Sequence, residues 1–144
     1  MSSKEEFISE SEEQTKKFAG EFARRLKAGD VVCLKGGLGA GKTHFVKGMA
    51  EAFDIEETEV QSPTFTLINE YRGSIPLYHF DCYRMESVRE ALEIGAEEYF
   101  YGEGVSVIEW PERIQEIIPP EAVWITITSL APTKRKFVIQ QKGS

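Results

Sequence analysis

The stretch Gly36-Gly37-Leu38-Gly39-Ala40-Gly41-Lys42-Thr43 follows an apolar run, Val31-Val32-Cys33-Leu34, and leads into a segment patterned as a helix. It satisfies G-x-x-x-x-G-K-[ST] in the strand-loop-helix setting that the motif's mechanism requires. Glycines let successive main-chain N–H groups turn inward around a polyphosphate, and a helix starting at the end of the loop presents its positive dipole end to the same anion. Lys42 adds a point charge for the β- and γ-phosphates, and the Thr43 hydroxyl suits a magnesium ion. The stretch therefore predicts a site for a nucleoside triphosphate with magnesium, built from Gly37, Leu38, Gly39, Ala40, Gly41, Lys42 and Thr43. The competing reading is a Gly-rich strand-to-helix turn that binds nothing; the four glycines and the flanking pattern weigh against it.

Working outward from the loop, a helix is expected from about Lys42 to Phe53, with Phe45, Met49 and Phe53 beside Val46 and Ala50 on its inward stripe. Upstream, Phe18, Phe22 and Leu26 recur four apart next to Ala19 and Ala23, predicting a buried helical face over about Ser11 to Lys27, ended by Gly29. Ser11 with Gln14 resembles a capping box; Ser9 with Glu12 fits as well. Downstream, Phe65–Tyr71 and Ile75–Phe80 flank Arg72-Gly73-Ser74 and read as a hairpin. Ser87–Ile94 reads as a short helix with Val88, Ala91 and Leu92 inward, and Val105–Ile108 as a strand ending at Glu109-Trp110-Pro111. Pro111 is placed to open a further helix near Glu112–Ile118. Val123, Ile125 and Ile127 alternate with polar neighbours before a last strand, Phe137–Ile139, predicting antiparallel sheet at the C-terminal end. The expected architecture is α/β: a three-layer fold of the phosphate-loop NTPase type, with a central mixed sheet of parallel core and antiparallel flanking strands and helices on both faces.

A length of 144 residues fits one domain, since domains commonly run to about 100–150 residues. Residues 1–144 are thus read as a single nucleotide-hydrolysing domain. With 17 basic against 24 acidic residues the net charge is −7, the wrong sign for gripping nucleic acid over a broad face. Cys33 and Cys82 both lie in apolar runs without C-x-x-C spacing, which predicts buried thiols rather than a disulfide or zinc site. The N-terminal residues have no apolar signal core, and no unbroken run of about 18 apolar residues occurs, so a cytoplasmic location without membrane contact is expected.

Magnesium held by one hydroxyl and phosphate oxygens still needs hard oxygen ligands, and these come from acids at the ends of neighbouring strands. Two strands end this way, Val105-Ser106-Val107-Ile108-Glu109 and Leu77-Tyr78-His79-Phe80-Asp81. Glu109 ends the more plainly central strand and is assigned, with Thr43, to the metal. Asp81 is left to orient or deprotonate the attacking water, or to hold a metal-bound water. With Lys42, these acids form the expected catalytic set. Ser62-Pro63-Thr64-Phe65 reads equally as a sensor of the γ-phosphate or as a loop-to-strand transition. His79, inside an apolar run, is read as a hydrogen-bonded structural residue. Arg84 is read as a phosphate neighbour or the partner of an acid, and Trp110 as a half-buried aromatic.

No [NT]-K-x-D element for guanine is found, and Asp81 is followed by Cys82-Tyr83-Arg84 rather than by the D-x-x-G pattern, which argues against a regulatory GTPase. A small-molecule kinase remains the alternative. Taken in order and at their spacing, Gly36–Thr43, Ser62-Pro63-Thr64-Phe65, His79-Phe80-Asp81-Cys82-Tyr83-Arg84 and Val107-Ile108-Glu109-Trp110-Pro111 closely resemble the TsaE family (older name YjeE) of bacterial ATPases. The resemblance implies a weak, magnesium-dependent ATPase that supports formation of N6-threonylcarbamoyladenosine at adenosine 37 of tRNA. It would act alongside the TsaB and TsaD proteins, touching tRNA only through that complex, with hydrolysis resetting or activating its partners. By the same resemblance, magnesium falls to Thr43 and Glu109, the ATP phosphates to Leu38–Thr43, and the adenine end to the segment from Glu12 to Thr15. Asp81 and Trp110 match family positions tied to activity. Ala131–Lys136 fits the family pattern only loosely, so Arg135 is not carried over.

Overall fold

The computed structural model describes residues 2–37, 41–61 and 67–142. Strand β1 (Ser2–Ser9) precedes helix α1 (Glu12–Ala23), and β2 (Val31–Lys35) runs into the motif, after which α2 (Lys42–Ala52) begins. Then follow β3 (Ile68–Tyr71), β4 (Leu77–Asp81), α3 (Val88–Glu93), α4 (Ala96–Phe100), β5 (Val105–Glu109), a 3₁₀ helix (Pro111–Ile117), β6 (Val123–Ala131) and β7 (Lys134–Lys142). The strands form one seven-stranded sheet in the order β1-β7-β6-β2-β5-β4-β3. Its centre is parallel, with β2 between β6 and β5 and β4 beside β5. The flanks are antiparallel, with β3 on β4 and β7 between β6 and β1. This is the expected mixed sheet with helices on both faces.

Alternation along the strands sorts the two layers. Val32, Leu34, Val107, Ile125 and Phe137 face α1 and α2, meeting Phe18, Phe22, Phe45 and Met49. Val31, Cys33, Phe80 and Ile108 face the other way, against Ala91, Ala96, Phe100 and Ile114. Both cysteines are buried free thiols, and burial pushes the Cys82 thiol up to about 12, which keeps it protonated and unreactive.

Several elements differ from the sequence expectation. Helix α1 stops at Ala23, short of Lys27, and the chain turns before Gly29 takes a left-handed φ of 91°. Its start follows the Ser11 reading: the Ser11 hydroxyl accepts from Gln14 N at 3.1 Å, while Gln14 Oε1 accepts from Glu10 N at 2.8 Å. Leu92, expected inward, is 45% exposed, because α3 is only six residues long and ends where Gly95 (φ 82°) starts α4. The segment after Pro111 is a 3₁₀ helix broken by non-helical dihedrals at Ile114. The hairpin is present from Ile68, while Ser62–Thr66, including the segment read as a γ-phosphate sensor, lies outside the described residues.

Candidate functional site

Helix α2 starts at the carboxyl edge of the parallel strands, where ligands of open α/β sheets lie. Gly41 caps it at φ 102°, a conformation open to glycine, and offers no side-chain cap, so the first-turn N–H groups point toward the space in front of the helix. Leu38–Ala40 lie outside the described residues, and Gly37 is exposed.

Lys42 is buried, its side chain only 5% exposed. Its Nζ donates to Gly36 O at 3.0 Å, stands 3.9 Å from Glu109 Oε1 and sits 4.3 Å above the Trp110 ring. Burial holds its ammonium below the usual value, against the pull of Glu109, Asp81 and Glu112. A cation so enclosed needs a strong counter-charge, and one carbonyl, one carboxylate beyond hydrogen-bond range and one aromatic face are weak partners. The group is therefore suited to receiving an anion.

Asp81 and Glu109 close their strands as register partners of adjacent parallel strands, so their carboxylates stand side by side. The sequence reading set Asp81 on a hairpin strand apart from the central one; β4 is both, pairing with β3 on one side and β5 on the other. Asp81 Oδ1 accepts from Tyr83 N at 2.9 Å. Burial lifts its carboxyl above the ordinary range, opposed by that N–H and reinforced by the neighbouring Glu109. Glu109 is buried and its Oε2 lies 2.5 Å from His79 Nε2.

A pocket of about 790 Å³ gathers Glu12, Thr15, Gly41, Lys42, Thr43, Asp81 and Glu109, with Trp110 in the same wall. In the same lining Thr15 shares a 2.7 Å hydrogen bond with Ser9, and Glu12 lies 3.2 Å from His44 Nε2. The wall also holds Glu13, inside the segment assigned to the adenine end, and residues the sequence reading did not select: Glu10, Ser11, His44, Tyr83, Pro132, Thr133 and Arg135. His44 had a signal, since it directly follows the motif. The β6–β7 turn had only the loose family match that left Arg135 aside, and it is the sheet order that brings Arg135 beside Gly41, where a Cβ would come within 3.6 Å of its Nε. Arg84 is exposed and does not line the pocket.

The donor set of Thr43, Asp81 and Glu109 is all oxygen, which fits a hard cation. Among the described residues no group of three or more His, Cys, Asp or Glu side chains could hold a metal by itself. The arrangement fits an ion that takes part of its shell from phosphate and water, as magnesium does.

The family model for Threonylcarbamoyl adenosine biosynthesis protein TsaE matches residues 9–137 of this chain. The tRNA threonylcarbamoyladenosine biosynthesis protein TsaE of Treponema pallidum is 44% identical over 132 residues, covering 92% of this chain and 97% of the relative. The protein of the same description from Bacillus subtilis is 45% identical over 133 residues, 92% of this chain and 82% of the relative. That from Aquifex aeolicus is 42% identical over 139 residues, 95% and 96% of the two chains. The crystal structure of Bacillus subtilis YdiB matches with a TM-score of 0.81 and 38% identity, over 99% of this chain and 88% of that one.

Proposed function

The chain belongs to the TsaE family, whose members are described as tRNA threonylcarbamoyladenosine biosynthesis proteins, and from that premise we propose that it is an accessory ATPase of this tRNA modification. It binds ATP with magnesium, hydrolyses it slowly when alone, and resets or activates a TsaB–TsaD complex through which it meets tRNA. The observation that carries this reading is the buried, weakly paired Lys42 at the uncapped start of α2, facing the carboxylate pair Asp81 and Glu109.

In this reading the amides of the loop, from Gly37 to Thr43, and the Lys42 ammonium hold the phosphate tail. Glu12 and Thr15 line the adenine end. Thr43 and Glu109 hold magnesium, which when bound supplies neutralising charge to the terminal phosphates. Asp81, its carboxyl lifted by burial, orients the attacking water and accepts its proton. Lys42, Asp81 and Glu109 are the catalytic residues. Slow hydrolysis in isolation follows if groups that complete the water's position come from a partner. Residues 1–144 then act as one ATPase domain in the cytoplasm; no helix among the described residues is long and apolar enough to cross a membrane.

The test is ATP turnover by the purified chain with and without TsaB, TsaD and tRNA. Slow turnover that rises on adding them is expected. Unchanged turnover, together with brisk phosphorylation of a free metabolite, would establish the small-molecule kinase instead.

A further inference from the structure

A chain of polar contacts runs under the pocket floor across β5, β4 and β3. From Glu109 Oε2 it passes to His79 Nε2 at 2.5 Å, and from His79 Nδ1 to the Tyr71 hydroxyl at 3.3 Å. The Tyr71 hydroxyl accepts from Gln61 N at 3.1 Å and from Asn69 Nδ2 at 3.3 Å and donates to Gln61 O at 2.9 Å, a carbonyl that also accepts from Asn69 Nδ2 at 3.0 Å. His79 is fully buried and Tyr71 is 8% exposed. Buried polar groups of this kind are costly unless each is satisfied.

Counting protons gives the chain a direction. The Tyr71 hydrogen goes to the Gln61 carbonyl and the Glu109 carboxylate has only acceptor oxygens, so the hydrogen in the 2.5 Å contact is carried by His79 Nε2, which donates it to Glu109 Oε2. The opposite neutral tautomer would set a nitrogen lone pair against a carboxylate oxygen at 2.5 Å. One Glu109 oxygen is thereby committed inward, and Oε1 is left facing Lys42 and the pocket.

We propose that His79, itself oriented by Tyr71, is a positioning residue that fixes the Glu109 carboxylate so that a single oxygen, Oε1, is presented to a divalent cation bound with the nucleotide. The inference rests on the assignment of Glu109 to magnesium made above. The fully buried imidazole gives a direction to the acid beside it.

Two measurements on the full chain test it. Long-range ¹⁵N–¹H spectra of the metal-free protein should show a proton on His79 Nε2; a bare Nε2 would overturn the proposal without any substitution. Calorimetry of ADP binding with magnesium and with a chelator gives the factor by which the metal tightens binding. His79→Leu should reduce that factor by about 10–100-fold, the range for loss of a residue that orients a metal ligand. His79→Gln, whose amide nitrogen reaches the position of Nε2, should restore most of it, and Tyr71→Phe should reduce it less than His79→Leu does. A factor equal to that of the unsubstituted chain in His79→Leu, or failing its folding in Tyr71→Phe, overturns the role. A parent chain that binds ADP equally with and without magnesium would instead remove the Glu109 assignment, while the Nε2 proton would still report on the hydrogen-bond chain.

Discussion

Lys42 sits in a cavity with weak partners, so its removal separates binding from folding. If Lys42 holds the phosphate tail as proposed, Lys42→Ala gives up a hydrogen bond and charge contact to it, about 1.5–3 kcal/mol, which is roughly a 10- to 100-fold loss of ATP affinity. Titration calorimetry with Mg·ATP should record that loss, and turnover should disappear; unchanged affinity would remove Lys42 from the phosphate site. On the proposed reading Asp81 bears on both activity and stability. A carboxyl whose folded pKa is raised binds its proton more tightly when folded, so its contribution to stability is complete below the unfolded value and is lost as pH rises through the folded value. At neutral pH the charge therefore costs stability. Asp81→Asn keeps an oxygen for Tyr83 N and drops that charge, so it should melt about 1–3 °C higher at pH 7.5, with a smaller gain near pH 4, while hydrolysis falls and nucleotide binding persists. A lower melting temperature at pH 7.5 would contradict the burial argument. The positions of these residues were legible in part. Lys42, Thr43 and both acids stand out by residue type and by strand ends, but that Asp81 and Glu109 are register partners, and that Tyr71 and His79 reach Glu109, depends on pairing across β3, β4 and β5, which spacing along one chain does not encode.

Helices α1 and α2 both line the pocket, Glu12 and Thr15 from one and Lys42 and Thr43 from the other, so a change in their packing distance changes its shape. That distance is set at Gly48, where an added Cβ would collide with the Lys16 carbonyl oxygen and lie 2.8 Å from Ala19 Cβ. Alanine is the better helix former by about 1 kcal/mol, but relief of overpacking against backbone costs about 1–3 kcal/mol, so Gly48→Ala should lose up to about 2 kcal/mol. Urea denaturation checks the loss, and ADP affinity should fall with it because the helices must part; a more stable variant would show the contact to be soft. The helices and central strands with strong periodicity were readable, namely α1, β2, α2, β5 and β6. The short pieces were not. In α4 only Ala96 and Phe100 are buried, too few residues to show a period, and the stretch after Pro111 winds as 3₁₀ with Ile114 off the helical dihedrals.

At the scale of the whole molecule the chain is clasped by its first strand. β1 pairs with β7 along its length, from Ser2 opposite Lys142 to Ser9 opposite Arg135, and so ties the β1–α1 corner of the pocket to the β6–β7 turn that brings Arg135. Its sequence hides this: on the face turned to α1 it offers Glu5, Phe7 and Ser9, with Phe7 the single apolar residue, so no alternation announces a strand. Phe7 stacks on Phe18 at 4.1 Å and lies 6.3 Å from Phe137. Removing residues 1–8 would lose that ring, about 1.5–3 kcal/mol of burial and about 0.5–1.5 kcal/mol of aromatic pairing, and would also expose the unpaired edge of β7. Two losses of different kind are thus combined, and a second variant separates them. Phe7→Ala removes the ring but leaves the edge covered, so it should lower stability by about 3 kcal/mol while keeping the parent's association state. The truncated chain should be less stable still and should self-associate through the bare β7 edge, a rise in mass visible by light scattering at concentrations where Phe7→Ala shows none. If the truncated chain matched Phe7→Ala in both denaturant midpoint and mass, the clasp would reduce to one aromatic contact and the β1–β7 ladder would contribute nothing to holding the pocket's two sides together.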